Sequence, residues 1–185
     1  MYKKKKLLSV PGMDTRPTAD RLRETLFNIL SYDVREAVVL DLFAGTGALG
    51  LEALSRGAAS CVFIDNSRDA LSVIQKNCDA CAAMTARTTV VRWDITRNLN
   101  CIKNTQPPFS LVFADPPYGK NLIQPTFESL ANADCLADGA RIVVEHGVAD
   151  GLPAPPCGFS LDETRTYGRT ALTFFVYSHH SISQS

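Results

Sequence analysis

The chain has 185 residues, 45% of them hydrophobic, and its 19 lysines and arginines balance its 19 aspartates and glutamates. This length and composition predict one globular domain with a full hydrophobic core. They exclude a protein that is basic overall, and no stretch is long and apolar enough for a membrane span or a signal-peptide core. The six scattered cysteines include no second pair at metal spacing, so we expect reduced thiols, no bound metal and a cytoplasmic protein.

Lysines and arginines are concentrated near the start of the chain, where residues 1–17 predict an extended basic arm. Thr18 is a good N-cap, and apolar residues at helical spacing from Leu22 predict a helix that ends near Tyr32. Arg16, close to the start of this helix, could contact a ligand carboxylate or an RNA phosphate, or it could simply lie on the surface.

Short apolar runs then alternate with helical patterns along the chain. The predicted strands are 38–43, 61–65, 88–93, 109–114 and 141–145, and the predicted helices are 47–56, from Ser67 to about 81, and 122–132. Segments 159–167 and 170–177 meet at Gly168-Arg169 and predict a terminal antiparallel hairpin. The order of elements predicts an α/β fold, a doubly wound and mostly parallel seven-stranded sheet whose edge is antiparallel.

A glycine-rich turn, Gly45-x-Gly47-x-x-Gly50, follows the first strand. Gly45 and Gly47 allow close approach of a ligand to the main chain, and Gly50 permits close packing of a helix on a strand. The pattern matches the dinucleotide fingerprint, but it suits any ligand that lays an adenosine across this turn. A turn with no ligand is the alternative, which the flanking strand and helix and the later strand end at Asp65 disfavour.

Four predicted strands end in an acidic residue, namely Asp41, Asp65, Asp94 and Asp115. The carboxyl ends of parallel strands meet at one edge of a sheet, so these side chains are expected to converge on one cleft. There Asp65 can accept hydrogen bonds from ribose hydroxyls. Asp94 can accept one from an adenine amino group, with Phe43 and Ile95 as apolar neighbours of the ring.

Asp41 lies immediately before the glycine-rich turn and favours a ligand that carries positive charge. A dinucleotide would place a pyrophosphate there, and pyrophosphate prefers a helix N-terminus without a carboxylate beside it. S-adenosylmethionine instead carries an ammonium and a sulfonium. Asp41 could also serve only to cap the turn.

The sequence Asp115-Pro116-Pro117-Tyr118 is suited to the methylation of an amine on a nucleobase. The Asp115 carboxylate and the Pro116 carbonyl can accept the two N–H bonds, which directs the nitrogen lone pair toward a methyl donor. The prolines stiffen the loop, and Tyr118 can stack on a base removed from its helix. A proline turn with a tyrosine over the core is the structural alternative.

Residues 41–47 and 115–118 together resemble the class I S-adenosylmethionine-dependent amino-methyltransferases. More narrowly, segments 16–28 and 50–58 are similar to the bacterial family that methylates the N2 amine of a guanine in small-subunit (16S) ribosomal RNA. The similarity covers about residues 7–177, and the 16–28 stretch is its most family-specific part. The Asp-Pro-Pro-Tyr loop also occurs in DNA adenine and protein glutamine methyltransferases.

The resemblance implies S-adenosylmethionine as the cofactor and Asp115, Pro116, Pro117 and Tyr118 as the residues that hold the target base. The implied cofactor residues are Arg16, Thr18, Asp41, Phe43, Ala44, Gly45, Gly47, Asp65, Asn66, Asp94 and Ile95. Among them Asp41, Gly45 and Gly47 would hold the methionine end, Asp65 the ribose and Asp94 the adenine, while Arg16 and Thr18 would close the site. The family usually has a glutamate at the ribose position, where Asp65 is one methylene shorter.

The resemblance also implies a binding partner, 16S ribosomal RNA within an assembling 30S particle, and a protein that acts as a monomer.

Three other functions remain open at this stage. A DNA adenine-N6 methyltransferase shares the chemistry, but no separate DNA-reading domain is evident. An NAD-dependent oxidoreductase fits the glycines but leaves 115–118 unexplained and lacks an obvious proton-relay pair. A non-catalytic RNA-binding module would not need four acids at strand ends.

Overall fold

The computed structural model describes residues 17–80 and 85–179, so the basic arm through Arg16 lies outside the described residues. The helices are α1 (Pro17–Ile29), α2 (Ala48–Ser55), α3 (Arg68–Asp79) and α4 (Ile123–Ala133). The strands are β1 (Val38–Leu42), β2 (Ser60–Asp65), β3 (Thr88–Arg92), β4 (Phe109–Ala114), β5 (Leu136–Gly147), β6 (Phe159–Tyr167) and β7 (Thr170–Tyr177). No helix in the described ranges combines the length and the apolar character that a membrane crossing requires.

All seven strands form one sheet in the order β3-β2-β1-β4-β5-β7-β6. The first five are parallel, and β7 runs antiparallel to both β5 and β6. This confirms the predicted doubly wound α/β sheet with an antiparallel C-terminal hairpin. The strand order reverses between β1 and β4, and ligands of such sheets bind outside the carboxyl ends of the strands at this point.

Helix α1 and strand β5 differ from their predicted limits. Helix α1 already includes Pro17, the first described residue, so Thr18 lies inside the helix and the predicted N-cap is wrong. The helix ends at Ile29 rather than near Tyr32, which lies 90% exposed in the following turn.

Strand β5 begins at Leu136, five residues before its predicted start. Phe109 pairs with Leu136 and Leu111 pairs with Arg141, so the β5 residues between these pairs have no matching register on β4. Asp138 and Gly139, which resemble a turn in the sequence, therefore lie in an irregular part of the strand, where Gly139 has a φ of +76°.

Hydrophobic residues are buried on both faces of the sheet, which explains why the parallel strands read as nearly continuous apolar runs. On one face Phe113 of β4 packs against Phe27 of α1, with ring centroids 5.6 Å apart. On the other face Val112 belongs to the cluster that contains Phe127 of α4. Helices therefore cover both faces and leave the carboxyl edge of the sheet to form the crevice.

Hydrogen bonds define the end of α2 and the start of α3. Gly57 follows α2 with a φ of +103°, its N–H donates to Leu54 O, and the Ala58 N–H donates to Ala53 O. These two bonds form a Schellman motif. At the start of α3, Ser67 Oγ accepts a hydrogen bond of 3.3 Å from the Ala70 N–H.

Gly50 lies where α2 approaches β2 most closely. A Cβ atom built there would overlap the Phe63 ring and lie 2.5 Å from Cys61 Sγ, and both neighbours are fully buried. The close packing predicted for Gly50 is therefore confirmed, and it fixes the distance between the helix and the sheet.

Gly50→Ala is expected to lower the free energy of unfolding by about 1–3 kcal/mol, because an added methyl group must displace a well-packed core. Ser55→Ala, an exposed change on the same helix, is the matched control and should alter stability by less than about 0.5 kcal/mol. Urea denaturation measures both variants, and equal stability of the two would contradict the packing role of Gly50.

Candidate active site

The four predicted acids lie at the carboxyl edge of the parallel strands. Asp41 is the fourth residue of β1, Asp65 ends β2, and Asp115 directly follows β4. Asp65 and Asp115 both interact electrostatically with the buried Asp41 carboxylate. Asp94 lies two residues beyond β3, at the outer side of the crevice.

The N–H groups of the glycine-rich turn are used within the protein. Gly45 N donates to Asp65 Oδ2 at 2.9 Å, and Gly47 N donates to Ala44 O at 2.7 Å. Gly45 and Gly47 have φ values of +54° and +74°, in the left-handed region that glycine adopts without strain. Phe43, which opens the turn, also has a positive φ, of 57°. The turn is thus closed by its own hydrogen bonds and by Asp65.

Asp41 is only 2% exposed, and its Oδ2 accepts a hydrogen bond of 2.9 Å from the Gly50 N–H. Burial raises the pKa of Asp41 to about 7; the Gly50 N–H opposes this rise and the nearby Asp65 adds to it. A cation placed beside this carboxylate would favour its charged form. The position therefore suits a positively charged ligand group.

Asp65 joins the turn to the start of α3. One carboxylate oxygen binds Gly45 N, and the other accepts a hydrogen bond of 2.8 Å from Ser67 N. Each oxygen can accept a further bond, so ribose hydroxyls remain possible partners. The neighbouring Asn66 is exposed, and its backbone carbonyl accepts a bond of 3.3 Å from Arg92 Nε.

Asp94 is engaged by its own loop. Its Oδ1 accepts bonds from Thr96 N and Thr96 Oγ1, at 3.1 and 2.6 Å, and Arg97 Nε lies 3.1 Å from Oδ2. The Thr96 hydroxyl is the main cause of a lowered Asp94 pKa, and Arg97 contributes to it. Ile95 is buried and Phe43 packs against the same hydrophobic cluster, so the predicted apolar neighbours share one region.

The 115–118 loop presents a carboxylate without a hydrogen-bonding partner. Asp115 is exposed at the rim, but protein atoms crowd its carboxylate enough to raise its pKa well above the usual range. Glu145 and Asp41 raise the pKa further by charge repulsion. Within the described ranges no side-chain or backbone donor binds this carboxylate, whereas Pro116 is buried and anchors the loop.

Tyr118 is half exposed, and its hydroxyl is held at the end of β5. It donates to Glu145 Oε1 at 3.0 Å and lies 3.3 Å from Thr170 Oγ1. Burial of the hydroxyl raises the pKa of Tyr118 to about 12, an effect that Thr170 reduces and Glu145 reinforces. The tyrosine is therefore neutral, and its ring remains available for stacking.

Glu145 and Thr170 were not among the residues predicted for the site. The rule that selected the other acids would have found Glu145, because the fifth predicted strand also ends in this carboxylate. Thr170 has no such signal, since its place at the site depends on the pairing of β7 with β5.

His146 of β5 is 5% exposed. Its Nδ1 lies 3.0 Å from Gly147 O and its Nε2 lies 2.9 Å from Thr173 Oγ1. Both nitrogens thus have partners, and the Nε2 contact joins β5 to β7.

A cavity of about 350 Å³ lies beside the 115–118 loop. Its lining comes from the loop itself, the start of α4, the end of β5 and the segment that follows β5, and it includes Tyr118, Gln124, His146 and Leu152. None of the five strand-end acids lines it. The cavity is large enough for a small organic group that enters next to the loop.

Among the described residues no cluster of three or more His, Cys, Asp or Glu side chains could hold a metal ion. Cys61, Cys78 and Cys135 are buried, Cys101 is half-buried and Cys157 is exposed, and all five are free thiols. The sixth cysteine, Cys81, lies outside the described residues.

Comparison with known proteins places both site segments within a conserved family. A family model described as "Conserved hypothetical protein 95" matches residues 1–176. The Ribosomal RNA small subunit methyltransferase D of Escherichia coli (strain K12) is 40% identical over 165 residues, covering 89% of this chain and 80% of its own. The protein of the same name from Haemophilus influenzae is 34% identical over 145 residues, covering 78% and 75%.

A solved Escherichia coli structure named "Putative methyltransferase yhhF" has the same fold. It superposes with a TM-score of 0.82 at 38% sequence identity and covers 94% of this chain and 92% of its own. The glycine-rich turn and the 115–118 loop both lie within residues 1–176, which the family model matches.

Asp41→Asn is expected to reduce the pH dependence of stability between about pH 4 and 7. The folded pKa of about 7 exceeds the ordinary 3.8, so the folded protein holds an extra proton in this window. The stabilisation is complete at low pH and is lost as the pH rises through 7, with a slope of at most about 1.4 kcal/mol per pH unit.

Urea unfolding from about pH 5 to about pH 8 measures this slope in the wild type and the variant. Glu128→Gln, which removes an exposed carboxylate on α4, is the control and should keep the wild-type slope. An unchanged slope in Asp41→Asn would mean that Asp41 does not titrate in this range.

Proposed function

This chain belongs to the conserved hypothetical protein 95 family, the family of the ribosomal RNA small subunit methyltransferase D proteins, and we propose that it methylates ribosomal RNA. Its fold is that of the class I methyltransferases. More specifically, we propose transfer of a methyl group from S-adenosylmethionine to the N2 amine of a guanine in 16S ribosomal RNA. The observation that carries this proposal is the unpartnered Asp115 carboxylate on a proline-stiffened loop beside an acid-lined crevice.

The crevice suits a cationic cofactor better than a dinucleotide. Asp41 and Asp65 place two carboxylates beside the glycine-rich turn, where a pyrophosphate would be repelled. The Gly45 and Gly47 N–H groups, which would otherwise bind phosphate, already donate within the protein. S-adenosylmethionine carries two positive charges in this part of the molecule and, when bound, supplies an electrophilic methyl group. The NAD-dependent alternative is therefore disfavoured.

The proposed cofactor contacts follow the strand ends in order. Asp41, with the turn at Gly45 and Gly47, would hold the methionine end. Asp65 would accept the ribose hydroxyls and Asp94 the adenine amine, with Phe43 and Ile95 against the ring. Ala44 and Asn66 lie beside these residues in the chain, and Arg16 and Thr18 would close the site from the N-terminal side.

The residues of the 115–118 loop would position the base. Asp115 and the Pro116 carbonyl would accept the two N–H bonds of the amine, so that the nitrogen lone pair points toward the methyl group. Tyr118 would stack on the base, with Pro117 keeping the loop rigid. After methyl transfer the nitrogen loses one of its two hydrogens as a proton, and Asp115 is the acceptor beside it. Positioning supplies much of the rate in such a reaction.

The same loop could serve a DNA adenine-N6 methyltransferase, but the names of the relatives favour ribosomal RNA. A non-catalytic RNA-binding module would not need an unpartnered carboxylate at the site. The compact domain offers little surface beyond the crevice, so we propose that it recognises its guanine within an assembling 30S particle. We further propose that it acts as a monomer in the cytoplasm.

Calorimetric titration is expected to show micromolar binding of S-adenosylmethionine and no binding of NAD. Asp65→Ala should weaken the binding at least about tenfold, because it removes a charge-assisted hydrogen bond to the ligand. Asp69→Ala, an exposed acid in the first turn of α3, is the control. NAD binding without S-adenosylmethionine binding would overturn the proposed cofactor.

Incubation of 16S ribosomal RNA or 30S particles with the protein and labelled S-adenosylmethionine should yield N2-methylguanosine on nucleoside mass spectrometry. Asp115→Ala should reduce the rate at least about a hundredfold, since the amine loses its positioning acceptor. Asp134→Ala, at the end of α4, is the control. N6-methyladenosine as the product would contradict the guanine assignment, and equal methylation of bare RNA and particles would contradict particle recognition.

A further inference from the structure

Glu145 also lies at the carboxyl edge of the sheet, and the proposed reaction assigns it no role. In the parallel pairing of β4 and β5, Ala114 is opposite Val144, so Asp115 and Glu145 follow as neighbours on adjacent strands. Phe113 and Val143, two residues earlier on each strand, share one hydrophobic cluster. Side chains two residues apart along a strand lie on the same face of a sheet, so Asp115 and Glu145 are both directed to the face that holds Phe113 and Val143.

The Glu145 carboxylate is oriented by a single hydrogen bond. Its Oε1 accepts from the Tyr118 hydroxyl at 3.0 Å, while Oε2 accepts no hydrogen bond from any described residue. The side chain is half-buried, and Leu172 of β7 lies opposite it on the other side. One oxygen is thus held by Tyr118, and the other is available to accept a hydrogen bond from a ligand.

We propose that Glu145 determines specificity for guanine by accepting its N1–H with Oε2, while Asp115 and the Pro116 carbonyl hold the N2 amine. This inference rests on the proposed function. Guanine carries N1–H and N2–H₂ as adjacent donors on its Watson–Crick edge, which is the edge that a flipped base presents. Two neighbouring acceptors on β4 and β5 match these donors.

The same arrangement rejects a base whose N1 lacks a hydrogen. Adenine and 2-aminopurine both present a lone pair at N1, which a carboxylate repels. 2-Aminopurine keeps the N2 amine but lacks both the N1 hydrogen and the O6 carbonyl, so the Glu145 variants are needed to assign a lost preference to the N1 contact. Loss of a hydrogen bond to a charged acceptor lowers kcat/KM by about tenfold to a hundredfold.

The test compares guanine and 2-aminopurine at the methylated position, once wild-type protein has been used to locate that position. Both bases are placed in the same synthetic RNA, assembled into whichever substrate the wild type accepts, and kcat/KM is measured with labelled S-adenosylmethionine. The wild type should prefer guanine by about tenfold or more. In Glu145→Gln the amide oxygen can keep the Tyr118 bond while the amide N–H₂ faces N1, so the preference should vanish or reverse.

Two further variants separate specificity from positioning. Tyr118→Phe removes the bond that orients Glu145 and part of the stacking surface; both rates should fall, and guanine should still be preferred. Glu145→Asp keeps the negative charge but moves it back by one methylene, so this variant should also lose the preference for guanine. It provides a second test if Glu145→Gln does not fold.

An unchanged guanine preference in a folded Glu145→Gln or Glu145→Asp protein, judged by wild-type S-adenosylmethionine binding, would overturn the role of Glu145. Absence of guanine methylation by the wild type itself would instead overturn the proposed function. The two failures are therefore distinguishable.

Discussion

A buried hydrogen bond between the Asp41 carboxylate and the Gly50 N–H ties the first strand to the helix that follows it. Its acceptor lies beneath the crevice, and its donor lies where α2 meets β2 without room for a methyl group. The cost of burying a carboxylate is evident in the raised pKa of Asp41. The bond therefore connects the packing of the core to the electrostatics of the site.

Asp65 has a comparable role at the next strand, because its two oxygens bind the turn and the start of α3. As a result the glycine-rich turn is closed by carboxylates instead of remaining open for phosphate. The glycine pattern matches the dinucleotide fingerprint, but the acids around it favour a cationic ligand over a pyrophosphate. The ligand preference of this turn depends on which partners its N–H groups already have.

The antiparallel hairpin extends the site beyond the parallel strands. Strand β7 pairs with β5 and brings Thr170 to the Tyr118 hydroxyl, while Thr173 holds His146. Tyr118 and Glu145 are thereby fixed relative to Asp115 by elements far apart in the chain. The 115–118 loop is short, but its geometry depends on three adjacent strands.

The sequence by itself determined the α/β class, the order of the strands' acids and the two site loops, because local periodicity and turn chemistry carry that information. It did not determine that Thr18 lies inside α1 or how far β5 extends, since a cap at Thr18 and a turn at Asp138-Gly139 are locally reasonable. Only the tertiary structure decided that Asp65 binds the Gly45 N–H and that Glu145 adjoins Asp115 and Tyr118. These are contacts between segments distant in the chain, and no local pattern encodes them.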